Sequence, residues 1–270
     1  MLGFFLVVST IVLILLLGAF AITRSTPVPK WRRKGSPLHL LVVLGSGGHT
    51  AEIFTMLYRM DLCPSKYAYR TYLVSSGDNF SAAKAVEYEI ALRERGAAPA
   101  SYVIVTVPRA RRVHQSYFTA PFSTLLCFRS CFLALCRRHP DQRRHGLPEQ
   151  LTSPYPDLIL TNGPATAVCA VLAARILRLC HGRLSLLFPG MADAHPSTTG
   201  AEPDGSNPMV DELRLRTIFV ESWARVKTLS LSGKILLPFA DRFLVQWPAL
   251  EGKRVWWGMK RAQYVPGLMG

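Results

Sequence analysis

The hydrophobic positions of the chain follow two alternating patterns. Short, continuous apolar runs are typical of buried strands, and longer segments with apolar residues three and four positions apart are typical of helices. Strands are predicted at 38–44, 71–74, 102–107, 157–161, 217–221 and 242–245. Helices are predicted at 49–60, 80–94, 121–137, 164–180 and 229–239. Strands that alternate with helices predict a parallel sheet covered on both faces, which is a Rossmann-like, doubly wound α/β fold.

The beginning of the chain has a longer apolar run than any of these predicted strands and helices. From Leu2 to Ile22 there is no charged residue, and a helix of that length covers roughly 30 Å, the hydrocarbon thickness of a bilayer. A cleaved signal peptide is the alternative, because Ala19-Phe20-Ala21 resembles a cleavage site. The basic residues follow the apolar run and do not precede it: Arg24, Lys30, Arg32, Arg33 and Lys34. This distribution favours a retained transmembrane anchor with the following domain in the cytosol.

The length of 270 residues allows this anchor and one domain of ordinary size. Two stretches rich in Pro, Gly and polar residues interrupt the domain, and we expect them to be mobile surface insertions. The predicted organisation is an anchor at 1–22, a basic Pro-rich linker at 23–37, a domain at 38–250 with insertions at 139–153 and 189–212, and a tail at 251–270.

Charge and cysteine content narrow the possible partners. The net charge is +15, but the Arg residues are scattered and no zinc-finger, RRM or homeodomain pattern accompanies them. We therefore expect no nucleic acid partner, since anionic lipid headgroups or a diphosphate ligand explain the charge at least as well. The six cysteines form no C-x-x-C pair, and we predict that they are reduced core residues. His49-Thr-Ala-Glu52 is not the H-E-x-x-H zinc motif, and no metal is predicted.

A glycine-rich turn directly follows the first predicted strand. It consists of Gly45, Ser46, Gly47, Gly48 and His49. Glycines permit a tight turn, and free amides at the start of the next helix attract an anion such as phosphate. The turn is not the dinucleotide motif G-x-G-x-x-G, since position 50 is Thr, and it is not a P-loop, since no Lys follows the glycines. A tight strand-to-helix turn without a ligand is the alternative.

Polar residues follow three predicted strands, whose carboxyl ends meet at one edge of a parallel sheet. His49 could accept a proton from a sugar hydroxyl or orient a phosphate, or it could simply cap the helix. Glu52 could hold the imidazole or merely favour the helix N-terminus. Asn162 and Gly163 follow the fourth strand, and Glu221-Ser222 stands at the end of the fifth. The sequence therefore predicts one ligand site built from three loops.

Several blocks of the sequence together resemble one known family. They are 41–52, 107–111 with 115–116, 157–164, 220–222, 229–234 and 241–250. The chain is similar to the membrane-anchoring subunit of the UDP-N-acetylglucosamine transferase that adds the second sugar to dolichol-linked N-acetylglucosamine, the asparagine-linked glycosylation protein 14 family. The resemblance extends from about residue 38 to residue 250.

This resemblance implies the acceptor-side half of a GT-B glycosyltransferase that is divided between two chains. A soluble catalytic subunit would bind the donor UDP-N-acetylglucosamine. This chain would bind N-acetylglucosaminyl-diphosphodolichol and recruit that subunit to the endoplasmic reticulum membrane. No cofactor or metal is expected, and the chain should be inactive alone. The candidate bases are His49, Glu52 and Glu221, and the candidate acceptor-binding residues are Gly45, Ser46, Gly47, Gly48, Asn162 and Gly163.

Residues 121–136 are almost entirely apolar, with Arg129 as the only charge, but 16 residues are too few to span a bilayer. A buried core helix and a helix that dips into the cytosolic leaflet are the alternatives.

Two other classes of function stay open at this point. A membrane-bound NAD-dependent oxidoreductase would use the glycine-rich turn as its cofactor loop, although Thr50 and the missing acid after the second strand count against it. A purely structural tether would carry a cleft without activity, so that substitution of His49 or Asn162 would leave an assembled complex active.

Overall fold

The computed structural model describes residues 36–267 with gaps at 61, 64, 97–101, 112–114, 117–118, 150, 152, 164, 188–213 and 255–260, together with residue 18. The predicted anchor at 1–22 apart from residue 18, nearly all of the linker at 23–37 and the predicted insertion at 189–212 lie outside the described residues.

Seven strands and six α-helices alternate along the described chain. The strands are β1 (His39–Val43), β2 (Tyr69–Ser75), β3 (Tyr102–Val107), β4 (Leu158–Asn162), β5 (Arg216–Val220), β6 (Arg242–Val245) and β7 (Gln263–Tyr264). The helices are α1 (Gly48–Arg59), α2 (Asn79–Glu94), α3 (Ala120–Leu135), α4 (Pro140–Arg143), α5 (Ala165–Leu187) and α6 (Leu231–Leu236), and a 3₁₀ turn covers Pro248–Leu250.

All seven strands pair in parallel, in the order β3-β2-β1-β4-β5-β6-β7. This arrangement confirms the predicted Rossmann-like, doubly wound α/β fold. The order reverses between β1 and β4, because the chain first builds outward to β3 and then returns to the other side of β1. Such a reversal leaves a crevice at the carboxyl ends of the two central strands, where folds of this kind bind ligands.

The sheet separates two apolar layers. Along β1, Leu40 and Val42 join the layer that contains α1 and α2, while Leu41 and Val43 join the layer that contains α3 and α5. Successive side chains of a strand point to opposite faces, so a strand that is covered on both faces is mostly apolar. This is why the run at 38–44 has no polar alternation. A polar side chain in such a strand needs a partner, as Arg70 in β2 has in Glu89.

The sheet extends beyond residue 250, where the sequence pattern placed the end of the domain. Gln263 and Tyr264 form β7 and pair with β6. The return of the chain is held by backbone hydrogen bonds between Gly252 and Ala262 and between Ala262 and Lys253, each 3.0 Å long. A strand of two residues has no apolar run of its own, and the pattern along the chain therefore did not reveal it.

The segment 139–153, predicted as a surface insertion, contains the short helix α4 and several buried residues. The Asp141 carboxylate accepts a hydrogen bond of 2.8 Å from the backbone N–H of Thr106 in β3. His139 and Gln142 are both buried, and His139 Nε2 lies 3.1 Å from Ser130 Oγ of α3. The segment is thus attached to the sheet and to α3 at its beginning.

Helix α3 has one buried face and one exposed face. Cys127 and Cys131 are buried against α5, whereas Phe122, Leu125 and Leu126 are exposed by 73%, 65% and 57%. Residues 120–143 are the one helical stretch of the described chain that is long and apolar enough to cross a membrane by length and composition. However, α3 itself ends at Leu135 after 16 residues, and α4 starts only at Pro140. The helix is a core helix on one side and an apolar surface on the other.

The six cysteines of the chain differ in exposure. All six are free thiols; Cys127, Cys131 and Cys169 are buried, Cys136 is half-buried, and Cys63 and Cys180 are exposed. Three of the six lie in the core as predicted, whereas Cys63 and Cys180 are exposed and differ from the prediction.

A buried carboxylate joins the second half of the sheet to α5. Asp241, at the start of β6, accepts hydrogen bonds from Arg175 Nη2 at 2.9 Å and from Arg178 Nη1 at 2.7 Å. It also accepts a bond of 2.9 Å from the backbone N–H of Thr217 in β5. Burial lowers the pKa of Arg175 to about 10, against the opposing effect of the Asp241 charge. The carboxylate thus pairs with both buried guanidinium groups.

We expect Asp241→Ala to lower the free energy of unfolding by about 3–5 kcal/mol, because it removes the carboxylate from two buried cations. Denaturant unfolding of the full-length chain in detergent measures the loss. Glu87→Ala is the control: Glu87 forms an exposed ion pair with Lys84 at 2.7 Å, and its loss should cost less than about 1 kcal/mol. Similar losses in the two variants would contradict the assignment.

Candidate functional site

A cleft of about 850 Å³ lies at the carboxyl edge of the sheet, at the reversal between β1 and β4. Its lining comes from the turn after β1, the loops after β3, β4 and β5, and the start of α6. The residues that line it are Gly45, Ser46, Gly48, His49, Glu52, Ser75, Arg109, Ala110, Arg111, Gly163, Ala165, Thr166, Glu221, Ser222, Ala224, Arg225, Ser230, Leu231 and Ser232. The strand order therefore brings together the three loops that the sequence predicted.

The buried hydroxyl groups of Thr50 and Ser81 hold the glycine-rich turn in place. Thr50 is fully buried; its hydroxyl donates to the backbone carbonyl of Gly45 and lies 2.6 Å from Ser81 Oγ. Ser81 in turn donates a hydrogen bond of 2.6 Å to Asp78, which caps α2. In the dinucleotide motif a glycine occupies the position of Thr50. Here the hydroxyl at this position serves to hold the turn.

His49 is packed between the two central loops. A Cβ added to Gly45 would lie 2.7 Å from His49 Cβ, and a Cβ added to Gly163 would lie 3.0 Å from His49 Cγ. Gly163 also has a φ of +96°, which L side chains rarely adopt. The absence of side chains at these two positions therefore allows the imidazole ring to lie between the ends of β1 and β4.

A chain of hydrogen bonds links His49 to the loop after β5. His49 Nδ1 lies 3.1 Å from Asn162 Oδ1, and Asn162 Nδ2 donates to Glu52 Oε2 at 2.5 Å. The other oxygen of Glu52 accepts a bond of 2.8 Å from Ser222 Oγ. The site thus combines side chains from the turn after β1, from α1, from the end of β4 and from the loop after β5.

The Glu52 carboxylate is ionised in this arrangement. Burial by itself would raise its pKa, but the nearby His49 imidazole and the hydrogen bonds from Asn162 and Ser222 outweigh burial and hold the pKa below its ordinary value of 4.5. The imidazole Nδ1 also lies 3.9 Å from Glu52 Oε2. A carboxylate with a low pKa is a weak proton acceptor but a good partner for a neighbouring positive charge.

Glu221 is held in a different way. It is buried, with 1% exposure, and its Oε1 accepts a hydrogen bond of 3.1 Å from the backbone N–H of Ser222. Its Oε2 accepts bonds from both the backbone N–H and the hydroxyl of Ser230, at 3.0 and 3.1 Å. The carboxylate therefore fastens both ends of the segment 222–230 and the start of α6. This geometry favours a structural role for Glu221 over that of a base.

The outer wall of the cleft is basic. Arg109, Arg111 and Arg225 line it. Arg109 is oriented by a bond of 2.9 Å from its Nε to the carbonyl oxygen of Ser76. The amides of the first turn of α1 add a partial positive charge at the turn after β1. The wall therefore offers positive charge to an anionic ligand.

Not all of the predicted site residues line the cleft. Gly47 does not line the cleft, and Asn162 is fully buried beneath His49, where it contacts the imidazole and Glu52. Sequence reasoning placed Ser222 in the third loop beside Glu221 but did not predict its hydrogen bond to Glu52, and it did not assign the wall arginines to a site. The motif 107–111 offered a signal for two of these arginines, because polar residues directly follow a strand there. In the described part of the chain, no group of three His, Cys, Asp or Glu side chains is placed to hold a metal.

The sheet order, the glycine-rich turn and the polar cluster at the reversal point define a Rossmann-like domain with a candidate ligand site. The sequence matches the family described as "Oligosaccharide biosynthesis protein Alg14 like" over residues 40–268. The chain belongs to this family, as the resemblance in its sequence predicted.

Three relatives illustrate the match, and each is described as a UDP-N-acetylglucosamine transferase subunit Alg14. The protein of Aspergillus fumigatus is 57% identical over 229 residues, which cover 80% of this chain and all of the relative. The protein of Schizosaccharomyces pombe is 34% identical over 94% of this chain and 91% of its own length. The human protein is 32% identical over 80% of this chain and 78% of its own length.

We expect Gly163→Ala to destabilise the fold by more than the roughly 1–3 kcal/mol of backbone strain alone, because its methyl group also presses on His49. Gly252→Ala is the matched control, since Gly252 has a φ of +70° but has open space around it. Denaturant unfolding of both variants measures the difference. If Gly252→Ala costs as much as Gly163→Ala, the imidazole is not confined by Gly163.

Proposed function

We propose that this chain is the membrane-anchored, acceptor-binding subunit of a UDP-N-acetylglucosamine transferase in the synthesis of the lipid-linked precursor for N-glycosylation. Its acceptor would be N-acetylglucosaminyl-diphosphodolichol. A soluble catalytic subunit would supply most of the binding site for UDP-N-acetylglucosamine. The observation that carries the proposal is a cleft with a basic wall and a histidine at its floor, in a chain that belongs to the Alg14 family.

The cleft supports the acceptor side of the reaction. The wall arginines and the amides at the start of α1 offer positive charge to the diphosphate of the acceptor. His49 lies deeper, at the ends of β1 and β4, and its side chain is 33% exposed. A sugar joined to a diphosphate at the wall would therefore extend toward the imidazole.

In the proposed reaction His49 is the general base. Its Nε2 takes the proton from the acceptor hydroxyl while that oxygen forms a bond to the anomeric carbon of the donor sugar. The bond between the anomeric carbon and the UDP oxygen breaks at the same time, and UDP leaves with both electrons. Glu52 and Glu221 are poorer candidates for the base, because their oxygens already accept hydrogen bonds from Asn162, Ser222 and Ser230. The proposal requires no metal and no cofactor.

The donor would be bound mainly by a partner with a second Rossmann-like domain, which together with this chain would form a divided GT-B transferase. The relatives are named as transferase subunits, a description that supports a complex and speaks against an independent oxidoreductase. A tether without a role in chemistry remains a distinct outcome of the experiments below.

Attachment to the endoplasmic reticulum membrane would come from the apolar segment at 1–22, with the domain in the cytosol. The exposed side chains of α3 suit a second contact with the same leaflet. This helix is tied to the cleft, because Ser123 and Thr124 donate hydrogen bonds of 2.8 and 3.0 Å to the carbonyl oxygen of Ala110, a cleft residue. A lipid-linked acceptor held in the leaflet would thus lie close to the wall arginines.

Transfer of N-acetylglucosamine from its UDP donor to a synthetic N-acetylglucosaminyl-diphospholipid tests the proposal. We expect activity only when the full-length chain is combined with its soluble partner. His49→Gln should lower kcat of the assembled complex by roughly 10²–10⁴-fold, the usual contribution of a general base. Co-purification of the two chains is the control for assembly. Robust activity of this chain alone would overturn the divided enzyme, and full activity of His49→Gln would support the tether.

Phe122→Glu tests the membrane contact of α3. We expect kcat/KM for an acceptor embedded in a bilayer to fall by roughly tenfold, since a charge replaces an aromatic ring that the leaflet would cover. The rate with a short-chain, water-soluble acceptor should not change. Ile90→Glu on α2, at a position 54% exposed, is the matched control. A similar loss with both acceptors would show that α3 does not contact the bilayer.

A further inference from the structure

The side chains that contact His49 form a hydrogen-bonded network, and this network fixes the orientation of each group in it. An ionised carboxylate accepts hydrogen bonds and cannot donate them. Glu52 is ionised and receives Ser222 Oγ on one oxygen and the side-chain amide of Asn162 on the other. The group of Asn162 that faces Glu52 must therefore be its NH₂, whichever way the amide would turn by itself.

The orientation of Asn162 determines which ring nitrogen of His49 carries the hydrogen. With its NH₂ on Glu52, Asn162 directs its carbonyl oxygen at His49 Nδ1, at 3.1 Å. A carbonyl oxygen only accepts, so Nδ1 must carry the hydrogen. In the neutral ring the other nitrogen, Nε2, then has a free lone pair. Within the described residues Nε2 forms no hydrogen bond, and the ring borders the cleft.

We propose that Glu52 and Asn162 are positioning residues that fix neutral His49 in the Nδ1–H tautomer and so present the Nε2 lone pair to the acceptor hydroxyl. The role in transfer rests on the proposed function, whereas the tautomer can be measured without it. Ser222 supports the arrangement by holding the second oxygen of Glu52.

The arrangement also suits the protonated state of the ring. When Nε2 takes the hydroxyl proton, Nδ1–H stays on Asn162 and the ring becomes a cation. Glu52 Oε2 lies 3.9 Å from Nδ1 and remains ionised, so an opposite charge is close to the new cation. After transfer the proton passes from Nε2 to solvent through the open cleft, and the network returns to its starting state.

Glu52→Gln separates this role from a packing role. The amide keeps the shape of the carboxylate, but it can also donate a hydrogen bond. Asn162 then has two possible orientations, and in the second its NH₂ faces His49 Nδ1 and requires an unprotonated nitrogen there. That orientation favours the Nε2–H tautomer, in which the base nitrogen is blocked.

The tautomer is measured by ¹⁵N NMR on the full-length chain in detergent, labelled at histidine nitrogens, at a pH where the spectrum itself shows the His49 ring to be neutral. A spectrum of His49→Gln assigns the His49 signals. We expect a protonated Nδ1 and an unprotonated Nε2 in the wild type, and a shift toward Nε2–H in Glu52→Gln. Glu87→Gln, which neutralises an exposed carboxylate on α2, should leave the spectrum unchanged.

Kinetics of the assembled complex provide the second measurement. Glu52→Gln should lower kcat by about 10- to 1,000-fold with little change in KM for the acceptor, because a base in the wrong tautomer binds but does not react. Glu87→Gln should have full activity. A wild-type His49 in the Nε2–H form, or a Glu52→Gln variant with the wild-type tautomer, would overturn the proposal.

If Glu52→Gln fails to fold, the wild-type spectrum still tests the proposal, because a His49 ring in the Nε2–H form would overturn it. The two proposals also fail separately. An assembled complex without transferase activity, in which His49 still has the expected tautomer that Glu52→Gln changes, would refute the proposed function and support the positioning role.

Discussion

The parallel pairing of β1 with β4 is the constraint on which the site depends. The register sets Val43 opposite Thr161, so the residues that follow each strand emerge side by side. Gly45 and Asn162 are close enough that a Cβ on Gly45 would lie 3.3 Å from the carbonyl oxygen of Asn162. A shift of this register by one residue would turn Asn162 to the opposite face of the sheet and remove it from His49.

Charge is arranged by depth around the cleft. The two carboxylates, Glu52 and Glu221, lie low and are saturated by donors from the protein, while the arginines line the outer wall. Arg111 and Arg225 are exposed and the His49 ring is half-buried, so a ligand that enters meets positive charge before the imidazole. This order suits a molecule with an anionic end and a neutral sugar end, and it keeps the acidic groups from repelling the anion.

The sequence revealed the parts of this molecule that depend on local patterns. The six longer strands were predicted because each contains a short, mostly apolar run, and the turn at Gly45 was visible because glycine tolerates close contact. The strand at Gln263 was missed, since two residues at a sheet edge carry no pattern. Ser222 was missed as a partner of Glu52 because 170 residues separate them. Contacts of this kind exist only after the strands have been ordered.

The buried carboxylate of Glu221 has a consequence for evolution in the cleft wall. It holds the backbone N–H groups of Ser222 and Ser230, which stand at the two ends of one segment, and a Cβ on Gly233 would collide with its Oε2 at 2.1 Å. The positions of the segment, the start of α6 and this glycine therefore depend on one another through the Glu221 carboxylate. Changes in its parts will not combine additively, so the wall can diverge between relatives only through coordinated substitutions.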